Sequence, residues 1–305
     1  MTVVVFGSLN MDLVVHTPRL PHPGETLLGS EFATIPGGKG ANQAVTVARQ
    51  GVPTVMVGRV GADGFGQTLR QGLATAGIET TGIATDAAAP TGIAAIAVAA
   101  TGENHIIVVP GANGRVGTAD LQRLETYLPT AQWLLMQFEL PLPTVIAAAH
   151  LAQAAGVRVM LDPAPVQTFN PADLYPQVDI LTPNQGEAAQ LVGFPVETIA
   201  QAQAAIAHLQ GQGAATVIIT LGAQGIVCGT PDETFHHPAL PVTVVDTVAA
   251  GDAFNGGLAV ALAEGKPLNA AIAWATATAA YAVTQAGAQP SLPRRSQVAQ
   301  LLARG

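Results

Sequence analysis

The residues best placed to do chemistry lie in the stretch Val242 to Leu262, VTVVDTVAAGDAFNGGLAVAL. Its β-branched start, Val242 to Val245, predicts a buried strand. A turn of small residues follows, Asp246 to Asp252, then an apolar helix from about Ala253 to Leu262, stopped by Gly265 and Pro267. The free N–H groups in the first turn of such a helix favour an anion, and small side chains let a ligand approach the backbone. Asp252 stands beside that anion position. It reads in two ways. A general base there would take the proton of an attacking hydroxyl while the helix end holds a transferring phosphoryl group. An ordinary N-cap carboxylate would look the same. Spacing alone leaves both open.

Three further motifs carry candidate chemistry. Pro36 to Gln43, PGGKGANQ, sets Lys39 between glycines ahead of a helix running to about Gln50. The spacing is not that of a P-loop, and no dinucleotide-binding G-x-G-x-x-G follows a strand, which argues against a nicotinamide enzyme. A flexible glycine turn is one reading. Hydrogen bonding of a polyhydroxylated ligand by Gly38, Lys39 and Asn42 is the other. Asn184 to Glu187 follows a strand and a Thr-Pro. It matches a capping box, and equally a pair of hard oxygen groups for hydrated magnesium near phosphates. Thr220 to Gly225, TLGAQG, reads as a hairpin turn or as a backbone-lined nucleotide site. His236 and His237 lack metal-ligand spacing and a third ligand, so a solvated loop is expected there.

The elements that must position these motifs are legible from their periods. Thr2 to Gly7 is expected as a strand, placing Asn10 and Asp12 at its carboxyl end, where open α/β sheets bind ligands. From about Thr118 helices and strands alternate: helix 118–128, strand 132–138 leading to Glu139, helix 143–155, strand 157–161 leading to Asp162, strand 178–182, helices near 186–193 and 198–211, and strand 215–220. That alternation predicts an α/β fold with a mostly parallel sheet covered on both faces. Gly92 to Ala99 and His105 to Val109 flank a turn, Ala100 to Asn104, and predict a hairpin with no helix between. With residues 13–35 they would form a small separate β-sheet able to close over a site as a lid.

Composition narrows the function classes. The chain has 305 residues, 49% of them hydrophobic, and a formal net charge of −8. Its two lysines are Lys39 and Lys266, so no basic stripe suits nucleic acid. The single Cys228 excludes an internal disulfide framework and reads as core. No signal peptide is read at the start, and the uncharged stretch Asn269 to Pro293 is too alanine-rich to be a spanning helix. A cytoplasmic protein with no membrane partner is expected.

In order, GSLNMD, PGGKGANQAV, GADGFG, LLMQFELPL, TPNQGEA, TLGAQG, DTVAAGDAFNG and VTQAGAQPS run through essentially the whole chain. A chain with these motifs resembles the ribokinase family of carbohydrate kinases. The resemblance implies one α/β kinase domain over 1–305, with a small β lid inserted from about 13–35 and 92–109. It implies ATP-dependent transfer of a phosphoryl group to a sugar hydroxyl, O5 of D-ribose being the expected acceptor. Asp252 matches the family's base, and Ala249, Ala250 and Gly251 its anion hole. Asn10, Asp12, Gly38, Lys39, Asn42 and Glu139 match sugar-binding positions. Asn184, Thr220, Gly222, Gly225, Gly251 and Thr276 match nucleotide-binding positions. Asn184 and Glu187 match a magnesium-linked motif acting through water. Asp246, Val248, Ala282, Gln285, Gly287 and Ser291 match a site for a monovalent cation, usually potassium. A homodimer through the lid is implied as well. Two departures stand out: Gln285 replaces a frequent basic residue, and Thr276 replaces a His or Asn beside the adenine. The alternatives are a family member acting on fructose, deoxyribose, adenosine or pseudouridine, and a non-catalytic sugar-binding protein.

Overall fold

The structure, a computed structural model, describes residues 1–303. Thr2–Phe6 forms the central strand β1, apolar on both faces. Val3 and Val5 enter one core layer, Val4 and Phe6 the other, as a strand buried on both sides requires. The chain continues through β2 (Asn10–Thr17), β3 (Glu31–Gly37), α1 (Lys39–Arg49), β4 (Thr54–Gly61), α2 (Gly64–Thr75), β5 (Ile83–Asp86), β6 (Gly92–Ala99), β7 (Asn104–Val109) and α3 (Thr118–Tyr127). Then follow β8 (Ala131–Gln137), α4 (Leu142–Ala154), β9 (Arg158–Asp162), β10 (Ile180–Leu181), α5 (Gln185–Val192), α6 (Ile199–Gly211), β11 (Thr216–Thr220), β12 (Ile226–Gly229) and β13 (Thr234–His237). The last helices are α7 (Ala250–Ala263), α8 (Leu268–Ala282), α9 (Ala288–Ser291) and α10 (Arg295–Leu302).

The nine-stranded sheet has the order β13-β12-β11-β10-β9-β8-β1-β4-β5. It is parallel from β11 to β5, with β12 and β13 added antiparallel at one edge. Helices α1, α7 and α8 contribute to the core on the Val3 face, and α3 to α6 to the core on the Val4 face. This is the expected α/β architecture. After β1 the chain builds β4 and β5 on one side, then β8 to β11 on the other. The strand order therefore reverses between β1 and β8, where the carboxyl ends of the strands open a crevice.

The second sheet, of order β3-β2-β6-β7, is the small separate sheet expected from residues 13–35 and 92–109. Its hairpin β6–β7 pairs antiparallel, as the sequence pattern predicts. Ile106, Ile107, Val108 and Val109 on β7 and Phe32 on β3 are exposed. Among the described residues no helix is long and apolar enough to cross a membrane. Cys228 lies in the core of β12.

Four local expectations change. Val242 to Val245 forms no strand and is not buried; Val244 and Val245 are 59% and 62% exposed. The β-branched run lines a cleft instead of filling a core, and periodicity cannot tell these apart. Asn10 and Asp12 follow the end of β1 but belong to β2, so the crevice floor passes directly into the second sheet. The glycine-rich segment at Lys39 is not a flexible turn, because α1 already begins at Lys39. Finally, His236 and His237 sit on the edge strand β13, not in a loop.

Candidate active site

The turn into α7 organises the site. Its N-cap is Ala249, at φ 60°, the one non-glycine residue in the left-handed region among the described residues. That conformation costs about 1–2 kcal/mol for a residue with a Cβ, so the surrounding turn must hold it. Ala250 N–H donates to Thr247 O at 3.2 Å, and Ala253 N–H to Ala249 O at 2.8 Å. Among the described residues the Gly251 and Asp252 amides between them have no such partner. They are free donors at the positive end of a helix of 14 residues.

Asp252 is not the cap of this helix. It is 4% exposed, the N-cap is Ala249, and the Asp252 carboxylate is held by donors from another helix. Asn42 Nδ2 donates to Oδ2 at 2.8 Å and Gln43 Nε2 to Oδ1 at 3.4 Å. Both donors come from the first turns of α1. This geometry decides against the capping reading of Asp252.

Helix α1 starts where it does because two glycines let it. Gly38, its N-cap, has φ 90°, and a Cβ there would lie 2.7 Å from Asn10 N and 2.9 Å from Ser8 O. A Cβ on Gly37 would lie 2.3 Å from Asp12 Oδ2. This close approach brings α1 onto the carboxyl end of β1. Glu139, just past β8, then accepts from Ser8 Oγ and, at 3.2 Å, from the Lys39 amide, with Asn10 Nδ2 at 3.5 Å. A carboxylate on the first turn of a helix is favourably placed. Asn113, which the sequence did not mark, holds Asn10: its Nδ2 donates to Asn10 Oδ1 at 2.8 Å while its amide also bonds both backbone groups of Leu9.

The electrostatics are dominated by buried acids around one ammonium. Burial pushes the Asp12 carboxyl up to about 7, with the Glu139 and Asp252 charges adding to the shift. Burial likewise pushes Asp162 up to about 8, against the pull of Lys39. Burial opposes the charge on Lys39, but Asp162, Asp252, Glu139 and Glu187 outweigh it and raise the ammonium above its ordinary value. Asp162 and Gln43 were not singled out by the sequence. Gln43 closes the PGGKGANQ motif without a role of its own being read there, and an Asp ending a strand carries no motif.

Two cavities meet at the α7 turn. A polar one of about 200 Å³ is lined by Lys39, Asp162, Thr182, Asn184, Glu187, Asp252 and Asn255. A larger one of about 650 Å³ is lined by Gly222, Gly225, Leu240, Val242, Val244, Thr276, Ala279 and Val283. Asn184, Thr220, Thr247, Ala250, Gly251 and Phe254 border both. Thr220 to Gly225 turns the β11–β12 hairpin, as one reading expects, and also walls the larger cleft. The capping box at Asn184 is present, with Asn184 N–H donating to Glu187 Oε2 at 2.8 Å and Glu187 N–H to Asn184 Oδ1 at 2.9 Å. The cap bond uses Glu187 Oε2, and Glu187 also lines the polar cavity.

Beside the turn, Asp246 accepts from Val248 N–H at 2.9 Å and from Gly287 N–H at 2.8 Å, joining the two loops. Gln285 N–H donates to Ala282 O at 3.0 Å, with the Gln285 side chain exposed. Ser291 is buried and its hydroxyl donates to Ala288 O at 2.7 Å. Arg49, at the far end of α1, clamps this segment through Gln289 O and Leu292 O at 2.6 and 2.7 Å. No cluster of three or more His, Cys, Asp or Glu that could hold a metal ion exists among the described residues.

The chain matches the pfkB family carbohydrate kinase profile over residues 1–295. It belongs to the pfkB family of carbohydrate kinases. The chain is 40% identical to the ribokinase of Haemophilus influenzae over 301 residues, 99% of this chain and 98% of that protein. It is 35% identical to the deoxyribokinase of Salmonella typhi, covering 97% of each. A solved structure of Arabidopsis thaliana ribokinase, complexed with ribose and ATP, superposes with a TM-score of 0.90 at 36% identity over 98% of both chains. Membership gives the expected resemblance its footing, and the two cavities give it a geometry.

Proposed function

We propose that this protein phosphorylates D-ribose at O5 with ATP, giving ribose 5-phosphate. The observation that carries the reading is Asp252, buried and held by Asn42 and Gln43, beside free amides of α7, at the point where a polar and an apolar cavity meet. The relatives' names support ribose and ATP as the pair. In this reading the sugar lies against Asn10, Asp12, Gly38, Lys39, Asn42 and Glu139. Asp252 accepts the proton of the attacking hydroxyl, and the turn of Ala249, Ala250 and Gly251, where the Gly251 and Asp252 amides are free, meets the charge growing on the transferring group. Phosphoryl transfer asks for positioning and charge stabilisation, which this set supplies. The base and ribose of the nucleotide occupy the larger cleft along Thr220, Gly222, Gly225 and Thr276.

Magnesium fits at Asn184 and Glu187 through water, since both line the polar cavity. Bound there it would neutralise phosphate charge. Potassium fits the carbonyl-rich loops of Asp246, Val248, Ala282, Gln285, Gly287 and Ser291, where it would order the anion turn without touching substrate. Gln285 suits this only through its carbonyl, its side chain being exposed. We read residues 1–305 as one kinase domain with the four-stranded sheet as its lid. The exposed apolar residues of β7 support a homodimer through that lid, and we read the protein as cytoplasmic.

The test is ADP release with ATP, magnesium and potassium across D-ribose, 2-deoxyribose, fructose, tagatose, adenosine and pseudouridine. D-ribose should dominate. The similarity to a deoxyribokinase keeps 2-deoxyribose as the second reading, and its dominance would correct the sugar but not the mechanism. Silence across the panel from folded protein would favour a non-catalytic binder. Sodium in place of potassium should lower the rate; indifference to the cation would remove the potassium site.

A further inference from the structure

Asp162 has no part in the reaction as described, yet it faces the polar cavity beside Asp252 and Lys39 and is 5% exposed. The side chain of Gln43 connects it to the base. Gln43 Nε2 lies 3.0 Å from Asp162 Oδ2 and 3.4 Å from Asp252 Oδ1. A primary carboxamide has two N–H donors, so one serves each carboxyl. On its other side, Gln43 Oε1 accepts from Gln137 Nε2 at 2.7 Å. This decides which end of the carboxamide faces the acids. Reversing it would set its oxygen against two carboxyls and its amide against another amide. Gln43 and Gln137 are each 1% exposed, on α1 and β8, so neither is free to turn away.

The two oxygens of Asp252 are therefore held by consecutive residues of α1, Oδ2 by Asn42 and Oδ1 by Gln43. Asn42 can also touch the sugar, its buried Oδ1 having no partner in the structure. Gln43 cannot: its donors and its oxygen are spent on Asp252, Asp162 and Gln137. We propose that Gln43 is a positioning residue for phosphoryl transfer, its carboxamide aimed by Gln137 and anchored on Asp162 so that the Asp252 carboxylate is held in rotation. The proposal rests on the kinase reading and deepens it.

The physics gives it a signature. A donor on a carboxylate favours the ionised form, and a base already held by fixed donors need not reorganise in the transition state. The charges facing Asp252 are Lys39 from α1, Asp12 from β2 and Asp162 from β9, with Glu139 after β8 and Glu187 on α5 sharing Lys39. Replacing Gln43 removes its bonds to both Asp252 and Asp162, whereas replacing Gln137 leaves both donors in place and frees only their aim, so the two variants together report the bridge.

The experiment compares wild type, Gln43→Met and Gln137→Met by kcat, KM for sugar and ATP, and the pH dependence of kcat. Methionine keeps the length and removes the donors. In Gln43→Met, kcat should fall by about 100-fold with both KM values within about threefold, as loss of aim at the reacting group predicts. The acid limb of kcat should move up, since a donor to the carboxylate is lost. Gln137→Met frees the carboxamide without touching either acid, and should shift kcat and the limb in the same direction by less. An unmoved limb, or a loss confined to KM, would overturn the proposal. If Gln43→Met does not fold, the limb in Gln137→Met decides alone. A silent wild type fails the kinase reading and this proposal with it. An active wild type with unmoved variants fails this proposal only.

Discussion

The two cavities that meet at the N-terminus of α7 are built on opposite principles. On one side, Lys39, Asp162, Thr182, Asn184, Glu187, Asp252 and Asn255 line the polar cavity; side-chain hydrogen bonds of 2.8–3.4 Å run from Asn42 and Gln43 to Asp252 and from Gln43 to Asp162, while Asn10 and the Lys39 amide meet Glu139 as a separate group beside it. On the other, the walls include Leu240, Val242, Val244, Ala279 and Val283, and the hydroxyl of Thr276 gives its hydrogen to Ile272 O at 2.8 Å. A site built to hydrogen-bond a ligand rejects analogues that leave its groups unpaired, whereas an apolar site discriminates by size. The polar side should therefore be exacting about the sugar, and the apolar side should act mainly as a surface for a flat base. Between them, the α7 turn supplies the donors that both ligands need where they react.

The largest effect belongs to the junction. Asp252→Asn should lower turnover by about 10²–10⁴-fold, the usual contribution of a general base, with sugar affinity nearly unchanged in calorimetry. Equal activity would remove the base. Next comes the polar side. Glu139→Ala strands Ser8, Asn10 and the Lys39 amide, and should raise KM for the sugar by about 10–100-fold, as loss of bonds to a charged group predicts. KM for ATP should hardly move, and a matching rise in it would mean that the two sides are not separable.

The apolar side should respond more weakly. Val244→Ala trims a partly exposed wall, so steady-state kinetics should show KM for ATP rising by less than about tenfold and the sugar KM unchanged. The smallest expected effect is on stability. Asp162 and Asp12 bind protons more tightly folded than unfolded, since burial raises them to about 8 and about 7. Folding is therefore unaffected by them below the ordinary carboxylate range and is progressively disfavoured as pH rises through about 4 to 8. The Tm of the wild type should drop across that window, and Asp162→Asn should flatten the drop. A steeper drop in the variant would mean that Asp162 is ionised alongside Lys39.

The same contrast explains what could be read from the sequence. The regular alternation after Thr118 was legible because periodicity reports burial; the hairpin at 92–109 was legible from two apolar runs about a turn, although β7 is exposed along its length. The motif glycines were legible because Gly38 must take φ 90° against β2. Val242 to Val245 misled because a run of β-branched residues looks the same whether it fills a core or walls a cleft. β10 keeps only Ile180 and Leu181 of its expected five residues, and β5 gave no signal at all. The bridge from Asp162 through Gln43 to Asp252 was invisible, because its members lie 119 and 209 positions apart and meet only through the fold. The capping box at Asn184 was legible and present, yet it does not separate a structural role from a magnesium-linked one.

The most direct test of the central claim is phosphorus NMR of the products formed from ATP and D-ribose with magnesium and potassium. The account predicts one new phosphomonoester per ADP, its phosphorus coupled to the two C5 methylene protons of ribose. A phosphoester on another oxygen, or ADP with inorganic phosphate alone, would contradict it.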